Sequence, residues 1–359
     1  MLLERRRALE AVAAHLRCPV CSGSVRVGDD QVTCGRGHSF NIARHGYVSL
    51  TGGRGGPGTG DSAAMVMARE AFLGAGHYRP VADAVSTLAV HALAARADRS
   101  GPGLVLDLAG GTGYYLARVL DALGGRLGAC VDLSAPALRR AAGAHPRAAA
   151  IGADAWQQLP LAAGSAALVL SVFGPRNAAE IRRVLAPDGT LIVATAGADH
   201  LLELRRPLGL IGIDERKTAR LDDAFGDYAR SAVTAVRYQL RLGHADLTDL
   251  VAMGPSARHI GADVLAGRVA ALSAPVKVTV DVEVRSYTGL SMAGARPQLP
   301  AHPPRLGGGG GSRRCFHRGG RDRTARAAPV VCGRDDRFGR QSLGSSVLRE
   351  RSPIVKVAG

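Results

Sequence analysis

Aromatic side chains are scarce in this sequence: one Trp, six Phe and seven Tyr in 359 residues. Ala, Gly, Arg and Leu are abundant instead, the usage of a GC-rich bacterial genome, which speaks of codons and not of fold. Cysteine is sparse as well. Cys18, Cys21 and Cys34 cluster while Cys130, Cys315 and Cys332 are scattered, which excludes a disulfide framework. No apolar run reaches the roughly 20 residues of a membrane-spanning helix. Glu4 and Glu10 interrupt the N-terminus where a signal peptide would carry its apolar stretch. These absences predict a protein of the reducing cytoplasm, with no membrane partner, whose clustered cysteines hold metal. The net charge is large, +16, but residues 286–359 hold 14 Lys/Arg against 4 Asp/Glu. The rest is only mildly basic, so the overall pI does not by itself define a nucleic-acid surface.

The chain is long enough for one large domain plus accessories. Residues 1–15 predict a short helix, and residues 16–50 hold the Cys/His cluster among short β-like runs such as "SVRV" and "YVSL". Residues 51–60, "TGGRGGPGTG", read as a flexible linker. Asp61 and Ser62 are candidate caps for a helix through "AAMVMAREAFL", and Pro80 fits the first turn of another. From Leu104 strands and helices alternate, which predicts an α/β fold with a doubly wound parallel sheet. Val276, Val278, Val280, Val282 and Val284 alternate with polar residues, predicting a half-buried edge strand that closes the sheet near Arg285. The expected organisation is a zinc-binding domain over 1–50, linker and helix over 51–78, the α/β domain over 79–285, and a disordered basic tail over 286–359. Two readings of the tail stand: an Arg/Gly-rich RNA-binding segment, or an altered reading frame past the end of the domain, the second being preferred.

"CPVCSGSVRVGDDQVTCGRGH" places Cys18, Cys21, Cys34 and His38 in two short pairs twelve residues apart. Four soft or borderline donors at this spacing suit a closed tetrahedral zinc site, with no open position for catalysis. Gly35 and Gly37 are expected to let the second pair turn back on itself. A module this small has no adequate core, so metal would hold it together.

"VLDLAGGTGYY" is a strand, a glycine-rich turn and a helix. A dinucleotide fingerprint needs a third glycine where Leu116 stands, so that reading fails. The acid before the glycines, Asp107, resembles motif I of S-adenosylmethionine-dependent methyltransferases, where it faces the methionine part of the cofactor. Gly110, Gly111 and Gly113 are expected to admit the ligand to the backbone, Asp132 to serve the ribose hydroxyls, and Asp154 to lie near the adenine. Ala109 departs from the pattern, which has Gly there.

The order of "CPVC…C…H", "FNIARHGYVSL", "GDSAAMVMAREAFLGAGHY", "VLDLAGGTGYY", "SVFGPRNAAEIRRVLAPDGTLIVATAGADHLLEL" and "MGPSARH" resembles one family, from about Leu16 to Arg285. It is that of the bacterial 23S rRNA guanine-N1-methyltransferases, RlmA, in the branch with the tylosin- and mycinamicin-resistance enzymes. The resemblance implies a Rossmann-like S-adenosylmethionine-dependent methyltransferase domain behind an N-terminal zinc domain, usually in a homodimer. It implies zinc on Cys18, Cys21, Cys34 and His38. It also implies cofactor contacts from Tyr78, Gly111, Thr112 and His200, beside Asp107, Gly113 and Asp132. His200 also follows the strand "TLIVATA", at the sheet end where such folds bind ligands.

The implied substrate is a guanine in a 23S rRNA hairpin near the peptide exit tunnel. Arg26, Arg36, Arg44 and His45 are then candidates for phosphate contacts, and Arg176 and Asn177 for hydrogen bonds to the guanine. No residue stands out as the base that takes the N1 proton. A small-molecule methyltransferase and a non-catalytic RNA-binding protein are the alternatives; the zinc module argues against the first and the intact motif I against the second.

Overall fold

A computed structural model describes residues 2–52, 60–94, 103–212, 222–226 and 228–289. Most of the glycine-rich linker, and the tail from residue 290 with Cys315 and Cys332, lie outside the described residues.

The chain opens with helix α1 (Leu2–Val12) and a single 3-10 turn, Ala13–His15. Three short antiparallel strands follow: β1 (Val25–Val27), β2 (Gln31–Cys34) and β3 (Ser39–Asn41). Strand β4 (Val48–Ser49) leaves this small sheet and joins the large one. Helices α2 (Ala63–Gly74) and α3 (Arg79–Ala94) come next. Ser62, not Asp61, caps α2, its hydroxyl accepting from the Met65 N–H at 3.2 Å.

The large domain then alternates. Its elements are β5 (Leu104–Leu108), α4 (Tyr114–Ala122), β6 (Gly128–Asp132), α5 (Ala135–Ala141), β7 (Ala148–Gly152), β8 (Ala166–Val172), α6 (Ala178–Val184), β9 (Leu185–Ala196) and α7 (Leu202–Leu208). The described residues end in β10 (Ala229–Leu242), α8 (His244–Ala252), α9 (Ala262–Ala270) and β11 (Val276–Thr288). The sheet order is β10-β11-β9-β8-β5-β6-β7-β4, and β11 alone runs opposite to the others.

β11 differs from its expected place. β10 pairs along its other side, so β11 is internal and β10 is the edge. β11 also runs past Arg285 to Thr288. Tyr287 is buried and donates its hydroxyl hydrogen to Asp222 Oδ1 at 2.7 Å.

The parallel strands are mostly apolar because both faces are covered. In β5, Val105 faces a core shared with α3, α4 and α7, whereas Leu104, Leu106 and Leu108 face a second core. That second core is where the N-terminal module enters. Between β7 and β8 the chain crosses as an irregular segment, and α1 packs on β7 beside it. Ala8, Leu9, Val12 and Leu16 bury themselves against Ala149, Ile151, Leu159 and Leu161. A fully buried leucine contributes about 1.5–3 kcal/mol, so this seam is part of the fold. The seam continues through β4, whose Val48 and Ser49 pair with Ile151 and Gly152. A Cβ on Gly152 would lie 3.0 Å from Ser49 Cα, so glycine is what lets the two strands meet. The segment that bears the Cys/His cluster keeps its own small sheet but is joined to the large one through β4 and shares its core.

Candidate functional site

The metal donors converge. The Sγ and ring-nitrogen atoms of Cys18, Cys21, Cys34 and His38 all lie within 4.8 Å of one another. Cys34 Sγ is 3.3 Å and Cys18 Sγ 3.6 Å from His38 Nδ1, and Cys21 Sγ is 3.7 Å from Cys34 Sγ. A tetrahedron with Zn–S bonds of about 2.3 Å has sulfur–sulfur edges of about 3.8 Å. The donor set and its spacing thus fit zinc. Two left-handed residues shape the knot, Ser22 at φ +58° and Gly37 at φ +82°. Gly35 has no such requirement, so of the two expected turn glycines only Gly37 needs to be one.

The second constellation sits where the strand order reverses. β5 leads outward to β6 and β7, while β8 and β9 lie on its other side. Ligands of open α/β sheets bind in this crevice, outside the carboxyl ends of the strands. Three non-glycine residues there have left-handed backbones: Ala109 after β5 (φ +53°), Phe173 after β8 (φ +52°) and Leu201 in the turn following β9 (φ +56°). Strain of this kind concentrates at binding edges. It also accounts for the glycine that the pattern has where Ala109 stands here.

Asp107 is only 1% exposed, and its Oδ2 has no hydrogen-bond partner among the described residues. Burial, and then the neighbouring Asp132, push its carboxyl up to about 8. An orphaned carboxyl oxygen at the crevice is an unmet demand for a donor. Asp132 is satisfied by the glycine turn itself, with the Gly111 N–H donating to Oδ2 at 2.9 Å and the Ser134 N–H to Oδ1 at 2.8 Å. Burial raises its carboxyl as well. Gly111 (φ +58°) and Gly113 (φ +78°) need glycine for their backbones, and Thr112 between them is buried. Gly110 is closely packed, since a Cβ there would meet Asp107 Oδ2 at 2.5 Å and Cys130 Sγ at 2.7 Å.

Tyr78 and His200 meet on the other side of the crevice. The Tyr78 hydroxyl lies 3.2 Å from His200 Nε2, and both rings stand 6.1 Å from the Phe173 ring. His200 Nδ1 accepts from the Asp281 N–H at 3.3 Å, which leaves the proton of a neutral ring on Nε2, pointing to Tyr78. Burial lowers His200 to about 4, so the ring is neutral at physiological pH.

Sequence reasoning gave Asn177 to the substrate. Its amide is engaged in the framework instead: Oδ1 accepts from the Glu180 N–H at the start of α6, and Nδ2 donates to the Trp156 carbonyl at 3.1 Å. Asp154, expected near adenine, accepts from the Trp156 N–H at 2.9 Å. Conversely, Arg69, inside the quoted "GDSAAMVMAREAFLGAGHY", carried no assigned role. It donates to Asp61 Oδ2 (2.5 Å) and to the Met253 carbonyl (2.8 Å), and Arg258 donates to Asp61 Oδ1 (3.0 Å). A cleft of about 610 Å³ opens beside this network, lined by Asp61, Met65, Leu133 and Arg258 among others.

Acids closing β5 and β6 around a glycine turn suit the polar ends of a nucleoside cofactor, and the ribbon beside them suits zinc. Together they define the class, an S-adenosylmethionine-dependent methyltransferase with an N-terminal zinc ribbon. Comparison with known proteins narrows the class. Residues 16–51 match the family model described as "RlmA, N-terminal", a zinc ribbon, and residues 105–189 match "Methyltransferase domain". A Micromonospora griseorubida protein named "Putative 23S rRNA (guanine-N(1)-)-methyltransferase" is 47% identical over 286 residues, 76% of this chain and 97% of that protein. The 23S rRNA (guanine(748)-N(1))-methyltransferase of Streptomyces fradiae is 44% identical over 272 residues, 76% of this chain and 95% of that enzyme. Among solved structures, the YcgJ protein of Bacillus subtilis matches with a TM-score of 0.38 and 14% identity, over 55% of this chain and 97% of that one. The chain belongs to the RlmA family of 23S rRNA guanine-N1-methyltransferases. No helix among its described residues is long and apolar enough to cross a membrane.

Proposed function

We propose that this chain methylates N1 of a guanine in a 23S rRNA hairpin near the peptide exit tunnel, in the cytoplasm and as a homodimer, and so confers resistance to macrolides of the mycinamicin and tylosin type. The observation that carries the reading is the extended likeness to 23S rRNA guanine-N1-methyltransferases, which spans the ribbon and the catalytic domain together.

Bound S-adenosylmethionine supplies an electrophilic methyl on a sulfonium. The residues that would hold it are Asp107 for the ammonium, Asp132 for the ribose hydroxyls, the turn Gly111–Thr112–Gly113, and the pair Tyr78 and His200. The chemistry of the pair fits. A cationic imidazole would repel a sulfonium, and burial keeps His200 neutral. The rings of Tyr78 and Phe173 complete a wall without positive charge.

Guanine N1 carries a proton at neutral pH and normally lies within a base pair, so the base must leave the stack before it can react. Most of the rate then comes from orientation and electrostatics. Exposed Arg26, Arg36 and Arg44 on the ribbon are the phosphate contacts proposed for the hairpin. Because the ribbon shares a core with the sheet, such contacts would fix the RNA relative to the crevice.

The test is methyl transfer from labelled S-adenosylmethionine to 23S rRNA transcripts and to small acceptors. The reading expects labelled rRNA and a reverse-transcription stop at one guanine. Label on small acceptors alone would sink it.

A further inference from the structure

The three motifs left without a role, "GDS", "MAREAF" and "MGPSARH", meet at one place over the glycine turn. Asp61 lies between Arg69 and Arg258, at 2.5 and 3.0 Å, and its carbonyl accepts from Ser134 Oγ at 2.7 Å. Arg69 reaches across from α2 to the Met253 carbonyl. On the way its guanidinium crosses Gly111, where a Cβ would stand 2.9 Å from Nη1. Its charge is felt by Asp132, whose carboxyl it acts to lower.

The amino-acid end of S-adenosylmethionine is a zwitterion. A buried acid such as Asp107 suits its ammonium, but the α-carboxylate beside it then needs a cation. Arg69 is a cation lying on the same glycine turn. An arginine can offer a carboxylate two N–H donors; here Nη1 donates to Asp61 and Nη2 to the Met253 carbonyl, and each η nitrogen carries a second N–H to give. We propose that Arg69 is the receptor for the cofactor's α-carboxylate, and that Asp61, held from its other side by Arg258, keeps the guanidinium aimed over Gly111.

The inference rests on the cofactor reading above, and the experiment separates the two. Titration calorimetry would measure binding of S-adenosylhomocysteine and of its decarboxylated analogue to the full chain. Wild type should prefer the carboxylate form by about tenfold or more, the scale of a charge-assisted hydrogen bond. Arg69→Met should bind the two compounds equally, losing affinity for S-adenosylhomocysteine while that for the analogue stays within about twofold of wild type. A purely structural Arg69 would weaken both compounds alike and leave the preference intact, which overturns the proposal. If wild type binds neither compound, the cofactor reading itself fails. Circular dichroism and zinc content check the fold. Should Arg69→Met fail to fold, Arg69→Lys decides: a preference reduced but above unity supports the role, and an undiminished one overturns it.

Discussion

His200 Nε2 faces the Tyr78 hydroxyl at 3.2 Å while its Nδ1 accepts the Asp281 N–H, so the ring is held neutral between two fixed partners. Its lowered value of about 4, against 6.5 when exposed, means the unfolded chain binds the proton first on acidification. The associated stability is present above about pH 6.5 and is lost as pH falls toward 4, on the order of 3 kcal/mol. His200→Gln cannot titrate. Thermal melts from pH 7 to 4.5 should therefore fall less steeply for the variant than for wild type, and equal slopes would falsify the assignment.

Asp107 titrates in the opposite sense. Its folded value, pushed up to about 8 by burial and by Asp132, exceeds the unfolded 3.8. Its contribution is therefore fully present below about pH 3.8 and lost as pH rises through 8. Asp107→Asn should melt higher than wild type at pH 8.5, match it near pH 4, and bind no S-adenosylhomocysteine. In wild type an ammonium beside the carboxyl would ionise it, so binding at pH 7 should release about one proton, visible as a buffer-dependent heat.

Ala109 occupies a left-handed backbone that costs a non-glycine residue about 1–2 kcal/mol. Glycine relieves this and gives back about 0.4–1 kcal/mol through the freer unfolded chain. Ala109→Gly should thus gain roughly 0.5–1 kcal/mol in denaturant titration, with unchanged cofactor affinity. A loss of stability would mean that the methyl is needed for packing.

What the sequence made legible was local. Zinc spacing is a short-range chelate problem, and β5, β6, β8 and β9 announce themselves as apolar runs beside turn residues. β7 was missed because Ala148, Ala149 and Ala150 carry helix propensity; they form a strand since β6 and β4 flank them and both faces are buried. β10 was missed although Val236, Tyr238, Leu240 and Leu242 alternate with polar residues. The place of α1 was illegible, because nothing in its own residues says that the β7–β8 crossover lacks a helix. The Asp61–Arg258 contact joins positions 197 apart, and no local pattern encodes it.

The zinc ribbon shares its core with the sheet, so metal loss should not stay local. Cys18 and Cys34 are buried in the same cluster as Leu9, Val48 and Ile151. Cys34→Ala, or chelation, should remove the metal and lower the melting temperature of the whole chain in one transition. Structural zinc contributes about 10–16 kcal/mol in small modules, more than a typical domain's whole stability. Two separate transitions, with the methyltransferase melt unmoved, would show that the seam through α1 and β4 contributes little.

The end of β11 predicts where the chain tolerates truncation. Ending it after Gly289 keeps Tyr287, buried against Phe225 and hydrogen-bonded to Asp222, which Arg285 also engages at 2.9 Å. Ending it after Arg285 removes that ring, at a cost of about 3–5 kcal/mol and on the order of 10 °C in melting temperature. The resistance reading can be tested with the longer form. On that reading, a methyl on guanine N1 would remove a donor and add bulk at the margin of the macrolide site. Losing about 1.4 kcal/mol weakens binding tenfold. Expressing residues 1–289 in a sensitive bacterium should therefore raise tolerance to tylosin- or mycinamicin-type macrolides. Smaller macrolides should be little affected. The Asp107→Ala form should confer nothing, because its crevice lacks the acid proposed for the cofactor. Equal protection from both forms would exclude methylation as the cause and leave simple occupancy of the RNA as the explanation.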